Sequence, residues 1–315
     1  MVDFTFNILT KHNSWILGGI IKEVIPFCPG EVYLNEFLSL RREKLTKPRI
    51  RTKSPQFGQV NILIHHQIIE KFPKRILEDQ SYEKRILLTH FDPPNVIPLN
   101  FIENLKNFKR ILVQNSQVKS QLESSGKMDN KSKIDVWFGA VDRKVYYPTP
   151  VAKRDFVLIV GDCKPRKNPE LVAKVIEMNP EIDFIIHGKG WSNNEKIKRV
   201  LAKKNIQLIP FDLKLNPVLM RNASLLLSLS ALEGGPFPVL ESLASGTPVV
   251  ATNTGFCDEI VNQERGLCVP IESTAETISG AMHSTLERFA NRERRDLLNG
   301  QFSWRDLAIK VFQSG

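Results

Sequence analysis

The sequence predicts an α/β protein built from two doubly wound, Rossmann-like domains, and three observations lead there. A chain of 315 residues is long for one core and comfortable for two α/β domains. Residues 224–250, SLLLSLSALEGGPFPVLESLASGTPVV, set an apolar run (Leu225, Leu226, Leu227, Leu229) before a Gly-Gly-Pro turn and a helical segment at 238–244, a strand, loop and helix unit. The same order recurs from FVLIV at 156–160 through a glycine-led loop into a helix at 169–178. Pro169 fits the first turn of that helix, where its missing N–H is harmless.

The loop at 233–241 carries the chemistry. Gly234 and Gly235 let the main chain approach a ligand without Cβ interference, and Pro236 and Pro238 suit a helix start. A helix N-terminus at the carboxyl end of a strand presents free N–H groups and partial positive charge to a phosphate. Glu233 and Glu241 frame that anion site. Like charge forbids them to hold phosphate, but a carboxylate beside a phosphate site can accept hydrogen bonds from sugar or ribose hydroxyls. The implied ligand is a nucleotide sugar.

Glu233-Gly-Gly-Pro-Phe-Pro-Val-Leu-Glu241, with SGTPVV at 245–250 and GFCDEIV at 255–261, resembles the donor-binding motif of family 4 retaining glycosyltransferases. The resemblance is strong over residues 111–304 and patchy before them. It implies the GT-B fold, two Rossmann-like domains facing a cleft. It also implies that Glu233 contacts the transferred sugar and Glu241 the ribose, with Gly234, Gly235, Pro236, Phe237, Pro238, Val239 and Leu240 between them at the donor. The alternative is that the two glutamates are solvated residues of a loop and a helix. The expected division is an acceptor-side domain at 1–148 and a nucleotide-sugar domain at 149–300, with a helix at 301–315 packing back on the first.

Along the N-terminal half, residues 4–9 read as a strand and 15–27 as a helix entered through Gly18-Gly19. In the resembled family a glycine pair here brings amides near the donor phosphates or the acceptor, which makes Gly19 a donor-site candidate; a plain tight turn is the other reading. Basic residues dominate 41–53, RREKLTKPRIRTK. Such a run suits a solvated face or an anionic membrane surface, where each cation contributes ~1 kcal/mol. Nucleic acid fits it less well, because no aromatic residues are interleaved for stacking. VNILI at 60–64 and RILLT at 85–89 read as buried strands that deliver His65-His66 and His90 at their carboxyl ends. The resemblance implies that His90 lies near the reacting sugar, against a histidine merely hydrogen-bonded in a loop; for His65 and His66 the loop reading is preferred. Residues 111–115, 116–125 and 134–142 read as strand, helix and strand, and the two prolines of 146–151 as an interdomain hinge.

In the second half, GDCKPRKN at 161–168 faces the second anion site. The family pattern puts an arginine after the glycine and a lysine five residues later. Lys167 matches the lysine, Asp162 stands where the arginine is expected, and Arg166 on the same loop is the candidate to compensate. Fixed cations aimed at a departing pyrophosphate lower the barrier. Further strands are expected at 183–187, 206–211 and 265–270, and helices at 216–222 and 274–299.

No Asp-x-Asp occurs in the chain, so no metal and no cofactor are expected beyond a donor such as a UDP- or GDP-hexose. Cys28, Cys163, Cys257 and Cys268 have neither C-x-x-C spacing nor paired histidines, which points to reduced, mostly buried thiols. No apolar run approaches the ~20 residues that span a bilayer, and the N-terminus lacks the apolar core of a signal peptide. A cytoplasmic location is expected, with a peripheral place at the inner membrane face as its variant. The net charge of +10 favours anionic partners. The expected activity is transfer of a hexose to a hydroxyl of a glycan or lipid-linked glycan in glycan biosynthesis; the alternative is a catalytically silent module that binds nucleotide sugars.

Overall fold

The computed structural model describes residues 5–10, 20, 23–28, 31–38, 49–51, 60–64, 77–79, 81, 83–88, 99–126, 133–150 and 155–312. Gly19, His65, His66 and His90 lie outside the described residues, as does the basic run apart from 49–51. Two compact units emerge, Met1–Phe138 with Trp304–Gly315, and Gly139–Ser303. The division falls ahead of residue 148 because the intervening segment is tied into the second unit. Val141 N donates to Phe302 O at 2.9 Å, and Arg143 Nε to Asp296 Oδ2 at 2.7 Å.

The first unit holds strands β1 (Thr5–Thr10), β2 (Glu31–Leu38), β3 (Arg49–Arg51), β4 (Val60–Ile64), β5 (Glu83–Leu87), β6 (Arg110–Val113) and β7 (Lys133–Val136). Their sheet order is β3-β2-β1-β4-β5-β6-β7, parallel except that β3 runs antiparallel to β2 at the edge. β2 and β3 were not expected from the sequence. The strand expected over 134–142 ends at Val136, and Trp137 N still donates to Val113 O at 2.7 Å before the chain leaves the sheet. Of the helix expected over 15–27, the described part closes in the 3-10 turn Ile25–Phe27. Helices α1 (Leu99–Leu105) and α2 (Ser116–Ser124) follow, the latter capped by Asn115, whose side chain accepts from Val118 N at 2.8 Å.

The last helix, Trp304–Phe312, belongs to this first unit. Carbonyls of its last turn are taken by cations from the sheet. Arg85 Nη1 donates to Val311 O at 2.6 Å and Arg110 Nη1 to Lys310 O at 2.9 Å, while Lys310 Nζ reaches Val136 O at 2.6 Å. Burying Arg85, which is 1% exposed, would be costly for a lone charge. Glu83 offsets it at 2.7 Å, and Asp135 does the same for Arg110 at 3.0 Å.

The second unit carries β8 (Phe156–Val160), β9 (Asp183–His187), β10 (Ile206–Ile209), β11 (Leu225–Ser228), β12 (Val249–Thr252) and β13 (Gly266–Val269). All pair in parallel, in the order β10-β9-β8-β11-β12-β13. Helices α3 (Pro169–Met178), α4 (Lys198–Leu201), α5 (Asn216–Asn222), α6 (Phe237–Ala244), α7 (Cys257–Ile260) and α8 (Ala275–Phe289) connect and cover the strands. Strands buried on both faces read as continuous apolar runs, as LLL of β11 and VVA of β12 do. Helix α8 buries Ala275, Ile278, Met282, Thr285 and Phe289 at three- and four-residue spacing, a single stripe against the core. Each large apolar side chain so buried stabilises the fold by roughly 1.5–3 kcal/mol.

The helix expected to run to residue 299 stops at Phe289. The chain turns there to bring Arg294 to the end of α5, where its guanidinium donates to Arg221 O, Ala223 O and Thr247 Oγ1. Those carbonyls are left open by the helix end, so continuing α8 would forfeit their partner. All four cysteines are free, but only Cys257 is fully buried; the other three are half-buried.

Candidate functional site

In an open parallel sheet, ligands gather at the carboxyl ends of the strands where the strand order reverses. In the second unit that point lies between β8 and β11, and the loops that leave these strands carry the cations and the first glutamate. Gly161 leaves β8 at φ +129°, a conformation that favours glycine. Its carbonyl accepts from Trp191 Nε1 at 2.8 Å. A Cβ on Gly188 would stand 2.0 Å from that same oxygen, so only glycine lets the loop after β9 come this close. Pro165–Lys167 then forms a 3-10 turn, and Asn168, at φ 53°, redirects the chain into α3.

Three charged side chains meet at this point. Arg166 Nη1 and Lys167 Nζ lie 2.6 and 2.5 Å from one oxygen, Glu233 Oε1, and Ser230 Oγ donates to it at 2.9 Å. Glu233 is 11% and Lys167 14% exposed at the side chain, whereas Arg166 is 37% exposed. Burial pushes the Glu233 carboxyl up, but Lys167 and then Arg166 outweigh it and hold the group below the usual carboxylate range. The main chain ties the loops as well, with Ala231 N donating to Arg166 O at 2.8 Å.

The loop after β12 supports Glu233 from the other side. Glu233 N donates to Thr254 Oγ1 at 2.9 Å, and Thr252 Oγ1 donates to Ser230 O at 2.6 Å. A Cβ on Gly255 would approach Gly234 O to 2.8 Å. GFCDEIV thus backs the glycine loop through Gly255, while Thr254 holds the main chain of Glu233 and Thr252 that of Ser230.

Glu241 occupies a different environment. Helix α6 begins at Phe237, one residue before the expected start, with Pro236 at its N-cap, so Glu241 lies past the first turn. Val239 and Leu240 are 0% exposed, so their side chains pack in the core and only their main chain is left for a ligand. Asn216 Nδ2, at the start of α5, donates to Glu241 Oε2 at 3.0 Å and to Tyr146 Oη at 2.9 Å. Tyr146 is hydrogen-bonded to Glu241 in turn. Burial pushes the Glu241 carboxyl up to about 7, against the bonds from Asn216 and Tyr146 that favour its charged form. The Tyr146 hydroxyl is raised as well, first by burial and then by the charge of Glu241.

Of the sequence candidates, the structure brings together Glu233, Lys167 and Arg166, and holds Glu241 in a separate set on the same loop and helix. Asp162, where the resembled family has arginine, accepts from Lys189 N at 3.1 Å, and Cys163 N donates to Lys189 O at 2.8 Å. Asp162 thus fastens the loop after β8 to the loop after β9, and Arg166 supplies the second cation of the cluster. Ser230, Thr254, Asn216 and Tyr146 were not singled out from the sequence. For Ser230 the signal was present, a hydroxyl three residues before Glu233. For Tyr146, in a segment read as a hinge, there was none.

Residues 148–297 match the model of the family Glycosyl transferases group 1. No curated protein matches the chain. Among solved structures, the lipopolysaccharide outer core galactosyltransferase WaaB superposes with a TM-score of 0.71 at 14% identity, covering 98% of this chain and 99% of that one. Alr3699/HepE of Anabaena, solved with UDP, gives 0.68 at 14% identity over 99% of this chain and 96% of that one. Sucrose-phosphate synthase (tll1590) from Thermosynechococcus elongatus gives 0.68 at 12% identity over 98% and 95%. Other similar structures are longer, and the chain spans 55% of the length of TarM. At these identities the likeness is one of fold. Residues 148–297 thus match the glycosyl transferases group 1 model, within a chain that has the α/β GT-B fold.

Proposed function

We propose that the chain is a retaining, family 4-type glycosyltransferase that moves a hexose from a nucleotide-sugar donor to a hydroxyl of a glycan or lipid-linked glycan without a metal ion. The observation that carries this reading is the convergence of Lys167, Arg166 and Glu233 at the point where the strand order reverses. Two cations held by one carboxylate form a site that a diphosphate can take over. The incoming phosphates draw Lys167 and Arg166, and Glu233 is released to accept hydrogen bonds from the hexose hydroxyls. The bond from the anomeric carbon to the diphosphate breaks while the bond to the acceptor oxygen forms on the same face, and the acceptor proton passes to the departing phosphate oxygen. The developing charge falls beside Lys167, Arg166 and the amide-rich start of α6. Solved structures of Alr3699/HepE with UDP, and with UDP and glucose, support a donor of this class.

Thermal shift with a panel of UDP- and GDP-hexoses tests the reading, because a ligand that binds only the native state raises its stability by mass action. A rise with one nucleotide class, together with slow hydrolysis of that donor, is the expected result. No shift with any donor and no hydrolysis would overturn it. Asp162 favours a second reading, a silent binding module, since it removes one cation from the phosphate pair; a shift without hydrolysis or transfer would select that module.

A further inference from the structure

Asn216, Tyr146 and Glu241 come from three separate places in the chain and share one buried set of hydrogen bonds. Asn216 is 2% and Tyr146 7% exposed. The Asn216 amide donates to both Glu241 Oε2 and the tyrosine hydroxyl, and that hydroxyl is bonded to Glu241 as well. The amide orientation follows from these contacts, because turning it over would set Oδ1 against two oxygen acceptors. What this orientation costs is visible: Asn216 Oδ1 is buried with no hydrogen-bond partner among the described residues, a penalty that native structures rarely carry.

Among the described residues, no cation answers the carboxylate at the centre. Strands β11 and β12, which pack on α6, carry no charged residue, and Glu241 is the charged residue of α6 itself. From α5, Arg221 turns away to Val145 O at 2.8 Å and to the ring of Tyr147 at 4.5 Å. From the segment of Tyr146 the charge that is felt is that of Asp142, also negative. A tie between α5 and α6 alone would be served by a neutral glutamine, without the cost of a half-buried charge.

We infer that Asn216 and Tyr146 are positioning residues for Glu241, holding its carboxylate in one orientation for the paired hydroxyls of the donor's ribose. This rests on the donor reading given above. Two neutral donors hold the group without neutralising it, so it retains its strength as an acceptor. Both bonds also favour the ionised carboxyl, so removing either moves its midpoint upward from about 7.

The test uses the full chain with UDP and GDP, each paired with its 2′,3′-dideoxy analogue, and reads the affinity ratio within a pair by calorimetry. The wild type is expected to favour the hydroxylated nucleotide by ~10-fold or more, as for a buried acceptor left unpaired by the analogue. Glu241→Ala and Asn216→Ala should bring that ratio close to one. Tyr146→Phe, which keeps the ring in place, should lower it in part. Lys167→Ala should weaken both members of a pair alike.

In parallel, the Glu241 carboxyl is titrated by carbon NMR in the unliganded protein, where Asn216→Ala or Tyr146→Phe should raise its midpoint by about one pH unit. A purely structural tie would move the midpoint but leave the ratio as it is, so Tyr146→Phe with the ratio unchanged would overturn the inference. Absence of nucleotide binding by the wild type would instead sink the proposed function, and an unshifted midpoint would then still count against the positioning role by itself. Binding in which the wild type ignores the ribose hydroxyls would remove the ribose role and the inference with it.

Discussion

Glu233 and Glu241 belong to one loop and helix, yet their surroundings drive them apart. Glu233 sits under two cations and a serine hydroxyl, and its carboxyl is held below the ordinary range. Among the described residues Glu241 meets an amide and a phenol, and burial carries its carboxyl up to about 7. The difference teaches that one motif can hold two kinds of acceptor. One is a carboxylate whose charge is met by two cations; the other is a carboxylate met, among the described residues, by neutral donors.

The comparison breaks most sharply at Lys167. Lys167→Ala should lower kcat by ~10²–10³-fold, in the range seen when a preorganised group facing developing charge is lost, read by steady-state turnover with the donor found in the thermal-shift panel. If kcat holds within a few-fold, the cation pair is a structural tie and the contrast with Glu241 loses its meaning. Next, Glu241→Ala should weaken donor binding by ~10-fold or more without a matching loss in kcat, since the partners it leaves behind are neutral. Unchanged binding by calorimetry would remove the ribose role.

A stability measurement sharpens the contrast through the sign of each shift. With its midpoint raised from 4.5 to about 7, Glu241 contributes stability that is fully present below 4.5 and lost as pH rises to about 7. Glu241→Gln should therefore raise the melting temperature at pH 8, by at most about 3 kcal/mol of stability, and give little advantage at pH 5. Glu233 has the opposite sign, because its lowered midpoint gives stability that is present above the ordinary carboxylate value and lost as pH falls through the lowered one. Glu233→Gln should thus destabilise at pH 8, and equal effects of the two substitutions would deny that the environments differ. The smallest effect belongs to Arg166→Ala. Its side chain is 37% exposed and screened by solvent, so a loss of a few-fold in donor affinity is expected.

Much of this was legible in the sequence, and the boundaries of β8, α3, β9 and α5 fall where apolar runs and prolines put them. The glycine-proline loop between the two glutamates was legible as a turn into a helix start for the same local reasons. β2 and the edge strand β3 were missed, since EVYLNEFL carries no clean alternation and RIR lies within a charge run. The early end of α8 was missed because a polar, helix-compatible sequence continues beyond it; the need of the α5 carbonyls for Arg294 is a tertiary fact.

By itself, the sequence determined two α/β units, the glycine-rich loop, and the candidates Lys167, Arg166, Glu233 and Glu241, because propensity, periodicity and spacing are local properties of the chain. Only the tertiary structure decided that both cations close on one oxygen of Glu233, that Asp162 fastens a neighbouring loop, and that Asn216 and Tyr146 stand over Glu241. Parallel strands bring together loops that are far apart in sequence, and a carboxyl's charge state follows from the groups and the burial it meets there, which no local pattern records.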